Sequence, residues 1–267
     1  MTNAHCLPLS KSVVEAWIKA CSYIAANGRQ THNLLYEITN PSVLDKNDEN
    51  ILINFDNFAR QADIGSVTTV ANTIFPLDFY LKYGSAELLD TYNTNIYSKV
   101  KKNWGNYFDR LTRRRDTKGK LVLDKEGETL NPLKSVIEKL KRRIENGNGT
   151  FNHYEMSISD EAYELATYVP ERDSNYYRGG PCLSHISIKI DKDGKLNLTA
   201  IYRSHYYVER ALGNLVGLAR LQAYIANECG ATVGSLVIHA VSATLESKLD
   251  SASSTEVSSF LTSSGIK

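Results

Sequence analysis

"GGPCLSHISIKIDKDGKLNLTAIYRSHYYVERALGN", residues 179–214, sets a Pro-Cys pair, two alternating runs around a polar turn, and the start of an apolar helix in one unbroken order. Ile186, Ile188 and Ile190 alternate with polar residues, and so do the apolar residues of "LNLTAIYR" beyond the turn. Side chains two apart share one face of a strand. Asp193-Gly194 is a favoured pair for a tight turn, so the stretch predicts a β-hairpin. Its two open ends carry Cys182 and Arg203. Leu215 to Cys229 then predicts a helix stopped by Gly230, and Val233 to Leu245 a further strand. Strands clustered beside one long helix indicate an α+β fold with a mixed sheet packed by helices.

Outward from that stretch the signals are shorter. Ser10 or Ser12 caps a helix running to about Ala26, with Val13, Trp17, Ala20, Cys21 and Ile24 on one face and Asn27-Gly28 as its stop. "THNLLYEIT", residues 31–39, reads as a strand ended by Asn40-Pro41. Pro76 breaks or starts a helix within the apolar segment Val67 to Tyr83. Leu88, Leu89, Tyr92, Ile96, Tyr97 and Val100 keep helical register over residues 86–111. "DTKGKLVLDKEGE" reads as a small surface hairpin, and Leu133 to Ile144 as an amphipathic helix ending at Asn146-Gly147. Tyr163 to Val169 reads as a strand closed by Pro170. The tail "SASSTEVSSFLTSSGIK" is rich in Ser and Thr and reads as loosely held. No internal repeat divides the chain, so residues 1–267 read as a single domain.

Composition narrows the partners. Hydrophobic residues make up 42% of the 267, enough for a full core. Lys and Arg number 31 against 30 Asp and Glu, which argues against whole-surface binding of a nucleic-acid polymer. The dense runs Arg113 to Arg115 and Lys139 to Arg143 read as solvated faces. Cys6, Cys21, Cys182 and Cys229 have no disulfide or metal spacing, no apolar run is long enough to span a membrane, and residues 1–20 lack a signal-peptide layout. A reduced, cytoplasmic setting is the expectation.

The chemistry gathers near the hairpin's open end. Composition alone makes Cys182 an apolar filler. Placed at a strand start after Pro181, however, the thiol is accessible, and a nearby cation such as Arg203 would favour the thiolate. Arg203-Ser204 offers a forked guanidinium and a hydroxyl to an anion, or else Arg203 pairs with a local carboxylate such as Glu209. Asn214 is either a structural cap or a donor–acceptor reader of a base edge. His205 reads as a proton relay or as an ordinary hydrogen-bonded histidine. No histidine cluster, Walker A sequence or GxGxxG is present, so neither a metal nor a triphosphate or dinucleotide fingerprint is expected.

Taken together, Pro181-Cys182, the hairpin, Arg203-Ser204, and Asn214 before an apolar helix resemble the thymidylate synthase family, which includes the pyrimidine nucleotide C5-hydroxymethylases. The resemblance is best over residues 179–246 and extends more loosely to residues 12–40. It implies that Cys182 adds to C6 of a pyrimidine nucleotide while a one-carbon unit, methyl or hydroxymethyl, joins C5. The donor would be 5,10-methylenetetrahydrofolate. Arg203 and Ser204 would hold the phosphate, Asn214 would read the base, Arg29 in "NGRQT" would be a second phosphate ligand, and Asp78 would be the family's acid. A homodimer with sheets back to back is also implied. The departures are specific: no arginine pair stands near Ala162 to Glu164, Tyr206 replaces an acid, Thr244 and Glu246 replace the sugar-holding His and Tyr, and no folate-covering C-terminus is recognisable. A nucleotide-binding or scaffold protein without catalysis on the same fold is the alternative.

Overall fold

The computed structural model describes residues 4–100, 106–116, 120–147, 154–158 and 181–266. In chain order its strands are β1 (His5–Cys6), β2 (Gln30–Ile38), β3 (Glu155–Ser157), β4 (Leu183–Ile190), β5 (Lys195–Tyr202), β6 (His205–Tyr206) and β7 (Thr232–Thr244). The helices are α1 (Val13–Ala26), α2 (Lys46–Gln61), α3 (Val67–Ile74), α4 (Leu77–Tyr92), α5 (Ser98–Val100), α6 (Tyr107–Thr112), α7 (Pro132–Asn146), α8 (Leu212–Cys229) and α9 (Ser254–Ser263). The strand expected at Tyr163 to Val169 lies outside the described residues.

The hairpin forms as its alternation requires. β4 and β5 pair antiparallel, and Gly194 turns between them at φ 76°, a left-handed value that a side chain disfavours. The Asp191 carboxylate accepts from the N–H groups of Asp193 and Lys195, each at 2.9 Å. From β5 the chain crosses through α8 and returns as β7, parallel to β5, while β2 pairs antiparallel with the other edge of β7. The strand order is β1-β2-β7-β5-β4-β3, with β6 also on β7. Parallel and antiparallel pairs thus share one sheet, and the α+β expectation holds.

One face of the sheet carries the core. Leu34, Ile38, Ile186, Ile188, Leu196, Leu198, Leu236 and Ile238 are buried there, together with Trp17 and Ile24 of α1 and Leu218, Leu221 and Ile225 of α8. Ser12 caps α1, accepting from the Glu15 N–H at 3.1 Å, as its sequence suggests. α8 also takes α3 at close range. A Cβ on Gly213 would stand 2.5 Å from Val70 Cβ, and one on Gly217 would stand 2.8 Å from the Ala71 carbonyl oxygen. The other sheet face bears Leu35, Ile201, Val237 and Val241, half-buried or exposed, among polar residues.

Three local expectations change. The tail is not loose: α9 opens with a reciprocal capping box between Ser253 and Glu256 and buries Val257, Phe260 and Leu261. Phe260 stacks on Phe58 of α2 with 4.2 Å between ring centroids, so a few apolar residues outweigh the Ser/Thr content. α2 itself, capped by an Asp45–Asp48 box, has no counterpart in the sequence reading. The arginine run at 113–115 is not a solvated face either. Arg113 pairs with Asp109 and lies over the Tyr97 ring at 3.8 Å, while Arg115 is buried and donates to Tyr97 Oη at 2.9 Å. Asp109 on α6 and Tyr97, at the end of a π-helical stretch over Asn93–Tyr97, draw these charges inward.

Candidate active site

The antiparallel register brings the two hairpin ends together. The Arg203 N–H donates to the Cys182 carbonyl at 2.9 Å, one position beyond the Leu183–Tyr202 pair. Cys182 stands half-buried just before β4, neither sealed in the core nor fully open. Burial raises its thiol above the ordinary 9.0, and the charges of Arg203 and Arg210 work against that rise while Glu209 adds to it. Tyr107, buried beneath, sends its hydroxyl oxygen towards the Leu183 N–H at 3.5 Å. The thiol therefore sits where an anion is disfavoured by desolvation and favoured by two guanidinium groups.

Arg203 is exposed and Ser204 half-buried at the end of β5, so both can meet a solute. His205 then turns inward. Its ring stacks on Tyr202, 4.0 Å between centroids and 5° between planes, and its Nε2 lies 3.2 Å from Asn214 Nδ2. Burial lowers the His205 pKa to about 3, so the imidazole is neutral. Its burial and its Asn214 contact fit a hydrogen-bonded histidine. Asn214 does not cap a helix by its side chain; it lies within α8, buried, beside His205.

Between these residues a π-turn over Tyr207–Ala211 opens the helix that continues as α8. Such turns recur at functional sites because the extra residue re-aims side chains. Here it carries Glu209 and Arg210, ion-paired at 2.6 Å, whose charges both reach the Cys182 thiol. Sequence reasoning missed Arg210 altogether and treated Glu209 only as an Arg203 partner, since no residue pattern announces a π-turn. Glu246 anchors the turn: its carboxylate accepts from the N–H groups of Val208 at 2.9 Å and Glu209 at 3.0 Å. Burial raises the Glu246 pKa against the pull of those N–H groups. This side chain holds the helix start, where the resemblance implies a sugar contact.

Arg29 and Asp78 are the remaining two candidates. Arg29, at φ 66°, donates through Nε to the Leu245 carbonyl at 3.1 Å and through Nη2 to that of Glu246. It braces the chain leaving β7. Asp78 is exposed in the first turn of α4, and its charge acts on Arg220 of α8. Ten residues separate Arg220 from Arg210 along the helix, about 15 Å. Leu77 beside Asp78 lines a different groove of about 580 Å³ with Tyr80 and Arg220. Cys182, Arg203 and Ser204 are thus assembled around the hairpin end with Asn214 behind them, whereas Asp78 stands apart. The position for an arginine pair, Ala162 to Glu164, lies outside the described residues. Among the described residues no group of three His, Cys, Asp or Glu could hold a metal ion, and no helix is long and apolar enough to cross a membrane.

No protein-family model matches the chain. Curated relatives do, each bearing the name "Putative thymidylate synthase". The one from Methanothermobacter marburgensis is 26% identical over 238 residues, 86% of this chain and 88% of that protein. The one from Methanothermobacter thermautotrophicus is 43% identical over 63 residues, 24% of this chain and 28% of its own length. A third, from Methanosarcina acetivorans, is 28% identical over 116 residues, 43% of this chain and 46% of that protein. The similarity to proteins of that name runs over most of the chain, which supports a divergent thymidylate synthase-like family member.

Proposed function

We propose that the protein transfers a one-carbon unit, methyl or hydroxymethyl, to C5 of a pyrimidine nucleotide through a covalent adduct of Cys182 at C6. The observation that carries this is the Cys182–Arg203 juxtaposition: a half-buried thiol, tied by its own carbonyl to the Arg203 N–H at 2.9 Å, with Arg210 as a second cation. The thiolate adds to C6, and the displaced electron pair makes C5 the nucleophile towards the one-carbon unit. Loss of the C5 proton then lets the C6–S bond break and returns the thiolate. Arg203 and Ser204 hold the phosphate, and Arg203 with Arg210 keeps the thiol ionised. Glu209, whose charge reaches Cys182, would handle the proton in this reading, the role that the resemblance gives to Asp78.

A reduced folate would supply the one-carbon unit, with hydride as well in a methyl transfer. The exposed ring of Tyr206 and the Arg210 guanidinium offer it a stacking face and a cation. The C-terminal helix offers no cover, because Phe260 and Leu261 are committed to the core. The protein is also proposed to pair as a homodimer through the sheet face that bears Leu35, Ile201, Val237 and Val241.

The test is tritium release from 5-tritiated dUMP, UMP, dCMP and CMP with methylenetetrahydrofolate, beside Cys182→Ala. Release from at least one nucleotide is expected, abolished in the variant, with a mass adduct on Cys182 from the matching 5-fluoropyrimidine nucleotide. The raised Cys182 pKa favours a second reading, nucleotide binding without turnover. Binding with neither release nor adduct would decide for it.

A further inference from the structure

Arg220 stands on α8 among apolar neighbours. One turn to either side on the same helix face are Val216 and Tyr224, and Leu77 and Leu81 of α4 line the same groove of about 580 Å³. A groove of that size is within the range of small-molecule sites. Its rim leaves Leu81 72% exposed and Leu44 40% exposed. Apolar side chains left open along one groove mark a place for an apolar occupant.

The guanidinium sets the charge of that occupant. Arg220 is half-buried, and burial works against its positive form. Among the described residues its hydrogen-bond partner is the neutral side chain of Asn72, which accepts from Nη1 at 3.1 Å. Asp78, exposed on α4, acts on Arg220 through space, and the two form no ion pair. A desolvated cation whose close partner is a neutral amide is costly, and a carboxylate on its forked N–H groups relieves that cost. The far end of the groove disfavours a second anion. There Tyr80 Oη donates to Glu228 at 3.0 Å and accepts from Asn227 Nδ2 at 2.9 Å. Glu228 stands about 12 Å from Arg220 along the helix. We propose that this groove is a binding site for an apolar monocarboxylate, with its carboxylate on Arg220 and its apolar body lying along α8 between Leu77, Leu81 and Tyr224. The groove shares no lining residue with the group around Cys182, so its occupancy does not depend on the reaction proposed there.

The protein, isotopically labelled at its alanine methyl groups, is titrated with octanoate, octanol and octanedioate. The Ala219 and Ala223 signals, which report from the groove wall, are followed by NMR. Octanoate should shift both signals saturably, and octanol, the same chain without a charge, should bind about tenfold or more weakly. Octanedioate, which brings a second anion, should also bind more weakly than octanoate. Arg220→Met should abolish the preference for octanoate over octanol, and Arg220→Lys should keep part of it. Leu81 is exposed, so Leu81→Glu spares the core; it should weaken octanoate by about twofold or more and octanol by less. Octanol or octanedioate bound as tightly as octanoate would overturn the proposal. So would a preference that survives in Arg220→Met, or no saturable shift below about 10 mM octanoate. Should Arg220→Met fail to fold, an octanoate affinity unchanged in Leu81→Glu overturns it instead. Alanine shifts that follow protein concentration with no acid added would give the groove to a second copy of the chain, against the proposal.

Discussion

At the scale of single residues, Cys182 is held between opposed influences. Desolvation keeps its proton on, and Arg203 and Arg210 pull towards the thiolate. The alkylation rate of Cys182 should therefore reach half its plateau at a pH above 9.0, the midpoint of an unburied thiol. Arg210→Gln removes one cation, raises the pKa further, and should slow iodoacetamide labelling near pH 8 by about threefold or more. A rate unchanged in that variant, followed by peptide mass spectrometry, would remove Arg210 from the site. Residues fixed by strand register were legible in the sequence, because period-two alternation and an Asp-Gly turn place Cys182 opposite Arg203. Arg210 was not, since its place depends on a helical irregularity. Glu246 was legible only as a departure; that its carboxylate serves backbone N–H groups is a tertiary fact.

At the scale of elements, α9 shows how composition misleads. The tail's many Ser and Thr residues suggest a loose end, yet Val257, Phe260 and Leu261 recur at helical spacing and share a buried stripe. Phe260 meets Phe58, Phe55 and Trp17, joining the tail to α2 and α1. Phe260→Ala should cost about 3–5 kcal/mol, read as a lower urea midpoint with an unchanged slope. A midpoint within error of wild type would mean that the tail packs without contributing. α1, α7 and α8 were readable from caps and stops that act within a few residues. α2 was passed over because its charged positions hide a narrow apolar stripe, although Asp45 and Asp48 stand at the spacing of a capping box.

At the scale of the molecule, one sheet face is covered by helices and the other is left with Leu35, Ile201, Val237 and Val241 among polar groups. A face of that mixture suits a second sheet better than bulk water. The chain should run as a dimer in light scattering, and Val237→Lys should shift it towards monomer by burying an unpaired charge at the contact. A monomeric wild-type protein at tens of micromolar would end the proposal of back-to-back pairing.

The π-turn at Tyr207–Ala211 bears on how such a site can be lost. Deleting one residue from it would let the turn close to α-helical spacing and rotate the preceding chain by about 100° relative to α8. Arg203, Ser204 and Tyr206 would swing away from Asn214, with every one of those residues still in the sequence. A catalogue of residue types would score the altered chain as intact. The count of residues between Arg203 and Asn214 is as much a component of the site as the side chains at its two ends.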